Sequence, residues 1–171
     1  DKTVIVKIYE IKGREFNKPT HVIVRDWEMT RDLCETNEVA RDLYNKFLPG
    51  PITLILIKRE IVPGLLSANL PTLGVRIPNN SITKQLSAGL DFPYTTPSAN
   101  PTGGKTPYSV KDSLKQFTDA QKKLIDLVID AGELPKVDPS TIIDCTTKTP
   151  RILRQGPITQ GQIESALGIK L

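Results

Sequence analysis

The sequence is poor in cysteine, histidine and aromatic residues, and each shortage argues against a class of protein. Its 171 residues include two cysteines, Cys34 and Cys145, which lie far apart and form no CxxC pair. We therefore expect neither a disulfide framework nor a zinc site. The single histidine, His21, has no Ser or Cys partner in a recognised nucleophile motif, which argues against a triad hydrolase. Aromatic residues make up 5% of the chain and do not alternate with basic ones, which argues against a base-stacking RNA surface.

Several familiar motifs are missing as well. There is no GxxxxGK[ST], GxGxxG, HExxH or EF-hand loop, so we expect no Walker or Rossmann nucleotide site and no dedicated metal site. No apolar run approaches the roughly 18–20 residues of a transmembrane helix, and no basic and apolar leader marks the chain for export. We therefore expect a cytoplasmic protein without membrane contact.

The residues that are present are typical of one globular domain over residues 1–171. Hydrophobic residues make up 38% of the chain and charged residues 25%. The 23 Lys and Arg residues exceed the 19 Asp and Glu, and the net charge of +4 suits an anionic ligand such as a nucleotide or RNA. The chain has fourteen prolines, and several of them cluster with Gly, Ser, Thr and Asn, which predicts stiff loops between regular elements at 48–51, 97–104 and 155–157.

Short strands and helices alternate along the chain. Residues 2–12 fit two interpretations, because their β-branched residues favour a strand whereas Val4, Ile8 and Ile11 lie on one helical face. The run 52–57 is apolar throughout, which is typical of a strand buried on both faces. Other patterns predict strands over 21–24, 73–77, 94–96, 127–130, 141–145 and 152–153, and helices over 28–47, 81–88, 109–125 and 159–167. This interleaving predicts an α/β or α+β layered domain with a mixed sheet.

Three basic residues are candidates for binding an anion. Lys12 and Arg14 flank Gly13, and a bend there turns both cations toward one carboxylate or phosphate. The same sequence is also typical of a helix C-cap with two solvated cations. Arg76 stands in an apolar strand segment, where a buried guanidinium needs an anionic partner.

Two polar segments offer further candidates. Thr96 ends a predicted strand, and Ser98 and Asn100 follow it. Open α/β sheets place ligands at this position, although an ordinary Asx-rich turn has the same composition. Near the C-terminus, Ser140 opens one strand and Arg154 closes another. These two residues suit either a nucleotide contact or a plain structural strand with a surface arginine.

Taken in order, these segments resemble the YrdC-like domain family from about residue 7 to about residue 163. The matching segments are Ile11-Lys12-Gly13-Arg14 with Asn17-Lys18-Pro19, Pro49-Gly50-Pro51-Ile52-Thr53, Val75-Arg76-Ile77-Pro78, Pro97-Ser98-Ala99-Asn100 with Gly103 and Pro107, Ser140-Thr141-Ile142-Ile143-Asp144, and Ile152-Leu153-Arg154-Gln155-Gly156. The resemblance implies a three-layer α/β fold, in which helices flank a twisted mixed β-sheet around a positively charged cavity. It also implies that residues 2–12 are helical.

The resemblance further implies a nucleotidyltransferase that makes threonylcarbamoyl-AMP from L-threonine, bicarbonate and ATP, with Mg²⁺ accompanying ATP. A separate transferase then places the threonylcarbamoyl group on certain tRNAs, so that transferase and tRNA are expected partners. The implied catalytic residues are Lys12 and Arg14, which hold the carbamate or bridge to the α-phosphate. The residues implied to bind phosphate, nucleotide or substrate are Ser98, Asn100, Arg76, Ser140, Arg154 and Thr96.

The chain departs from the family pattern at two places. It does not contain the Pro-Thr-[Asp/Glu]-Thr-x-Tyr-Gly-Leu motif of the family's opening strand, so we expect a domain without that first strand. Where the family often has Pro-x-His-Pro, this chain has Pro78-Asn79-Asn80-Ser81. The alternative interpretations are an RNA-binding YrdC-like module without catalysis and the carbamoyl-adenylate-forming domain of a hydrogenase maturation protein. A YciO-like protein is a third, although that branch tends to lose the Lys-x-Arg and Ser-x-Asn residues present here.

Overall fold

A six-stranded mixed sheet organises the computed structural model, which describes residues 1–171. The strands lie in the order β4-β1-β3-β2-β5-β6. Strand β1 runs parallel to β3 and β2 runs parallel to β5, whereas the other three neighbouring pairs are antiparallel. The bounds are β1 His21–Ile23, β2 Ile52–Ile57, β3 Thr72–Arg76, β4 Tyr94–Thr95, β5 Thr141–Asp144 and β6 Arg151–Arg154. The predicted mixed sheet is confirmed.

Seven α-helices and one 3₁₀ turn at Gly64–Ser67 surround the sheet. The helices are α1 Lys2–Lys12, α2 Trp27–Leu33, α3 Glu38–Phe47, α4 Ser81–Gly89, α5 Val110–Leu114, α6 Asp119–Lys122 and α7 Gln160–Leu167. The helical spacing predicted over 28–47 is divided between α2 and α3, because the chain is extended at Asn37 and begins a new helix there. The Asn37 side chain accepts a hydrogen bond from Ala40 N and so caps α3. None of these helices has the length and apolarity needed to cross a membrane.

The first segment is helical, as the family resemblance implies. Ile5, Tyr9 and Lys12 are its buried residues, at the i, i+4 and i+7 spacing of one helical face. The Asp1 side chain caps the N-terminus, and Gly13 ends the helix in a left-handed conformation with φ 55°. These two caps and the buried face outweigh the strand propensity of the β-branched residues.

One face of the central strand β2 is buried in the core. Ile52, Leu54 and Leu56 on β2 are almost fully buried, and Leu43 of α3 and Ile163 of α7 belong to the same apolar cluster. The strand predicted over 52–57 is confirmed, whereas its burial on both faces holds only in part, because Thr53 is buried but Ile55 and Ile57 are half-buried.

The strand predicted over 127–130 is wrong. These residues lie outside the sheet, and Leu127, Val128 and Ile129 are exposed. The four interior strands already have two partners each, and the two edges are β4 and β6. An apolar β-branched segment forms a strand only when a partner backbone is available, and that condition cannot be read from the segment itself.

The hydroxyl of Thr141 joins β5 to the segment before α7. It donates to Ile158 O at 2.8 Å and accepts from Gly156 N at 3.0 Å and Ile158 N at 3.1 Å, and the residue is fully buried. We predict that Thr141→Val lowers the free energy of unfolding by about 2–4 kcal/mol, because the isosteric valine leaves these groups unpaired. Urea denaturation measures the change. Thr72→Val on β3 is the control, and an equal loss in both variants would contradict the prediction.

Candidate active site

The end of helix α1 separates Lys12 from Arg14. Gly13 N donates to Glu10 O at 3.1 Å and Arg14 N donates to Tyr9 O at 2.9 Å, which closes the helix at the left-handed glycine. Arg14 then lies on the wall of a polar cavity, whereas Lys12 is buried behind the loop that follows β4. The C-cap interpretation is therefore confirmed for Gly13, but Lys12 is not a solvated cation.

Lys12 holds the loop that carries Ser98 and Asn100. Its Nζ donates to Ser98 O and Asn100 O, and Thr102 N donates to Lys12 O at 2.7 Å. Burial, followed by repulsion from Arg14, lowers the pKa of Lys12 below its ordinary value. The ammonium nevertheless has two carbonyl partners, so it connects helix α1 directly to the loop.

Other donors bind three further carbonyl oxygens of this loop. Asn100 Nδ2 donates to Pro101 O at 3.1 Å and Gly104 O at 2.8 Å, and Ser113 Oγ donates to Ala99 O at 2.5 Å. Asn100 is 7% exposed, and its Oδ1 is buried without a partner. Because protein donors compensate these carbonyl dipoles, the loop presents little negative potential to an anion in the cavity.

A polar cavity of about 620 Å³ brings together six of the eight predicted site residues. Its wall includes Arg14, Arg76, Thr96, Ser98, Ser140 and Arg154. The other two, Lys12 and Asn100, are buried in and behind the loop. The position of this cavity follows from the strand directions. Strands β3 and β6 end, and β5 begins, on the same side of the sheet, where the strand ends meet.

The three arginines of this cavity have no carboxylate partner. Arg14 donates to Pro19 O at 3.0 Å, and Arg154 donates to Ser140 O at 3.0 and 2.7 Å. Arg76 Nε is buried with no hydrogen-bond partner, and no ion pair of the chain includes any of the three. Burial, followed by repulsion from Arg154, lowers the pKa of Arg76. Such an excess of positive charge favours a multiply charged anion.

Sequence reasoning missed His21 as a residue of this site. The imidazole lines the same cavity, with Nε2 3.4 Å from Thr96 Oγ1. Burial, followed by repulsion from Arg76, Arg154 and Arg14, lowers its pKa to about 4. The sequence motifs of hydrolases could not indicate this role of His21, because its neighbours in the cavity are arginines from distant segments of the chain.

A second, largely apolar cavity of about 470 Å³ lies beside the first. Ile8 and Ile11 of α1, Leu114 of α5 and Phe117 line it. The two cavities share Thr96, Pro97 and Ser98. A ligand that spans the loop would therefore meet arginines at one end and apolar side chains at the other.

Comparison with known proteins identifies the family. The family model named Sua5/YciO/YrdC, described as "telomere recombination", matches residues 1–156. The chain belongs to the Sua5/YciO/YrdC family. It is 36% identical over 158 residues to the putative threonylcarbamoyl-AMP synthase of Methanocaldococcus jannaschii, covering 92% of this chain and 72% of that protein.

Two further comparisons involve Pyrococcus abyssi. The threonylcarbamoyl-AMP synthase of that organism is 34% identical over 169 residues, which cover 98% of this chain and 48% of that protein. The crystal structure of P. abyssi Sua5 complexed with L-threonine matches with a TM-score of 0.89 and 34% identity, over 99% of this chain and 49% of that chain. The Sua5/YciO/YrdC chain described here thus spans about half the length of these two relatives, and its fold agrees with the one that the sequence resemblance implied.

Proposed function

We propose that this chain makes threonylcarbamoyl-AMP from ATP, L-threonine and bicarbonate. One observation carries the proposal: three arginines without carboxylate partners, one of them with a buried and unpaired Nε, share a cavity with Ser98 and Ser140. The triphosphate of ATP, bicarbonate and the carbamate that threonine forms with it are all anions, so bringing carbamate and triphosphate together requires this excess of positive charge. The names of the relatives support the same chemistry.

The reaction needs no protein nucleophile. The threonine amine forms a carbamate with CO₂ from bicarbonate, losing a proton and releasing water overall. A carbamate oxygen then forms a bond to the α-phosphorus of ATP, and the bond to the β-phosphate bridging oxygen breaks with its electron pair on pyrophosphate. Such a transfer depends on positioning and on stabilisation of charge.

The position of each cavity residue indicates whether it would stabilise charge or position the substrate. Arg14, Arg76 and Arg154 would stabilise the triphosphate and the departing pyrophosphate, and the Ser98 and Ser140 hydroxyls would donate to phosphate oxygens. Lys12 and Asn100 would keep the loop in place, so we assign them to positioning rather than to direct contact. Thr96, between the two cavities, would contact the threonine part of the substrate.

Magnesium would arrive with ATP as part of the substrate. The chain has no group of three or more His, Cys, Asp or Glu residues arranged to hold a metal ion. Mg²⁺ commonly keeps several waters and binds through substrate phosphates. The protein's share of the electrostatic work would then fall on the arginines.

Two other functions are less well supported. An RNA-binding module without catalysis, or a domain of a hydrogenase maturation protein, would also suit a basic cavity. The relatives that are 36% and 34% identical are both named threonylcarbamoyl-AMP synthase, one of them putatively, which favours the synthase.

Pyrophosphate release tests the proposal. The chain is incubated with ATP, Mg²⁺ and bicarbonate, together with threonine, serine or no amino acid. We expect release that depends on both threonine and bicarbonate, with threonylcarbamoyl-AMP identified by mass spectrometry. Release that is unchanged when threonine is omitted would contradict the proposal, as would ATP binding without any release.

A further inference from the structure

His21 occupies a defined place in the polar cavity. It opens β1 and pairs with Gly74 of β3. A Cβ at Gly74 would lie 3.1 Å from the His21 Cβ, so a side chain at position 74 would press on His21 and glycine avoids that contact. The His21 side chain lies beside Thr96 on the wall that also bears Arg14, Arg76 and Arg154.

The charges around His21 explain its state in the absence of a ligand. Arg76 comes from β3, Arg154 from β6 and Arg14 from the turn after α1. Tyr108 and Asp138 are the other titratable residues on the wall, and Asp138 is its one carboxylate. Three cations and burial outweigh that single carboxylate, which keeps the imidazole neutral at physiological pH.

We propose that His21 is a further ligand-binding residue of this cavity, which takes up a proton at mildly acidic pH when a polyphosphate binds and then becomes a fourth cation beside the three arginines. The ligand is a di- or triphosphate, whose several negative charges reverse the sign of the field at the imidazole. The proton comes from solvent or from the bound phosphate, and the imidazolium then has two N–H donors for phosphate oxygens or for Thr96.

The inference deepens the proposed function, since pyrophosphate is the product expected from the same cavity. Its test requires only binding. Inorganic pyrophosphate is therefore the probe, and no turnover is needed. Loss of threonine-dependent turnover with intact pyrophosphate binding would contradict the proposed function alone.

The first measurement follows the imidazole directly. Because His21 is the only histidine, one ring signal in a ¹H–¹³C NMR spectrum reports it without assignment. We expect its pKa to rise by about two pH units on saturation with pyrophosphate. An unchanged pKa at saturation would overturn the inference, as would failure of pyrophosphate to bind.

The second measurement compares the wild type with His21→Gln, which keeps a polar side chain but cannot titrate. By linkage, a rise of two units from about 4 makes pyrophosphate binding about tenfold tighter at pH 5 than at pH 7.5. The ligand's own protonation affects both proteins equally, so the difference between them isolates His21. Identical pH dependences would overturn the inference. Circular dichroism confirms that the variant is folded, and the NMR measurement on the wild type does not depend on it.

Discussion

Lys12→Met is expected to lower the rate of threonine-dependent pyrophosphate release by about 10²–10³-fold. The physical reason is the position of the ammonium, which donates to Ser98 O and Asn100 O from behind the loop. Methionine has a similar length but no donor, so both carbonyl groups lose their partner. The loop then shifts, and Ser98 moves away from the cavity that the arginines line.

The same substitution also affects stability, and the two effects can be separated. Leaving two carbonyls unpaired costs about 2–4 kcal/mol, partly offset because a buried ammonium no longer has to be desolvated. Rates are therefore measured well below the melting temperature, together with pyrophosphate affinity. We expect the affinity to fall with the rate, because the loop is displaced. Lys2→Met, at an exposed position of the same helix, is the control. A variant with normal affinity and normal rate would remove Lys12 from the site.

The sequence predicts the role of a site residue only where that role depends on neighbouring residues in the chain. Arg76 could be predicted, because a cation in an apolar strand needs a partner wherever the strand lies. The role of Lys12 could not, since its acceptors are 86 and 88 residues away and the local pattern indicated either an anion site or a helix end. Thr141 presents the same difficulty: its hydroxyl bonds to the segment before α7, 17 residues away, and no local pattern indicates that partner.

The fold shows the same limit. The run at β2 is apolar on both faces and therefore predicts a central strand by itself. The segment 127–130 has a comparable composition but pairs with neither edge of the sheet, so an apolar β-branched run does not by itself predict which segments pair. For α1, the sequence allowed two periodicities, and the resemblance to a family decided between them. A local sequence pattern thus predicts a buried strand such as β2. The pairing partners of a strand are determined by the three-dimensional arrangement.

Arg76→Met is expected to change stability and binding in opposite directions. Arg76 Nε is buried without a partner, and Arg154 repels the guanidinium across the same cavity. Replacing it with an apolar side chain of similar length removes a desolvated charge, so the ligand-free protein should gain about 1–2 kcal/mol in free energy of unfolding. Most substitutions of buried residues destabilise, which makes the sign of this change informative.

Binding should weaken in the same variant. A charge-assisted contact to phosphate is worth about 1.5–3 kcal/mol, so the affinity for pyrophosphate should fall about 10–100-fold. Melting temperatures with and without saturating pyrophosphate measure both effects: the variant should melt higher than the wild type without ligand and gain less from its addition. Arg151→Met on β6 is the control, because Arg151 is exposed and its guanidinium lies 3.7 Å from the Asp144 carboxylate. If Arg76→Met destabilised the free protein as a cavity mutation does, Arg76 would be a structural residue. In that case, the lack of a partner for the Arg76 guanidinium would not explain the affinity of the cavity for anions.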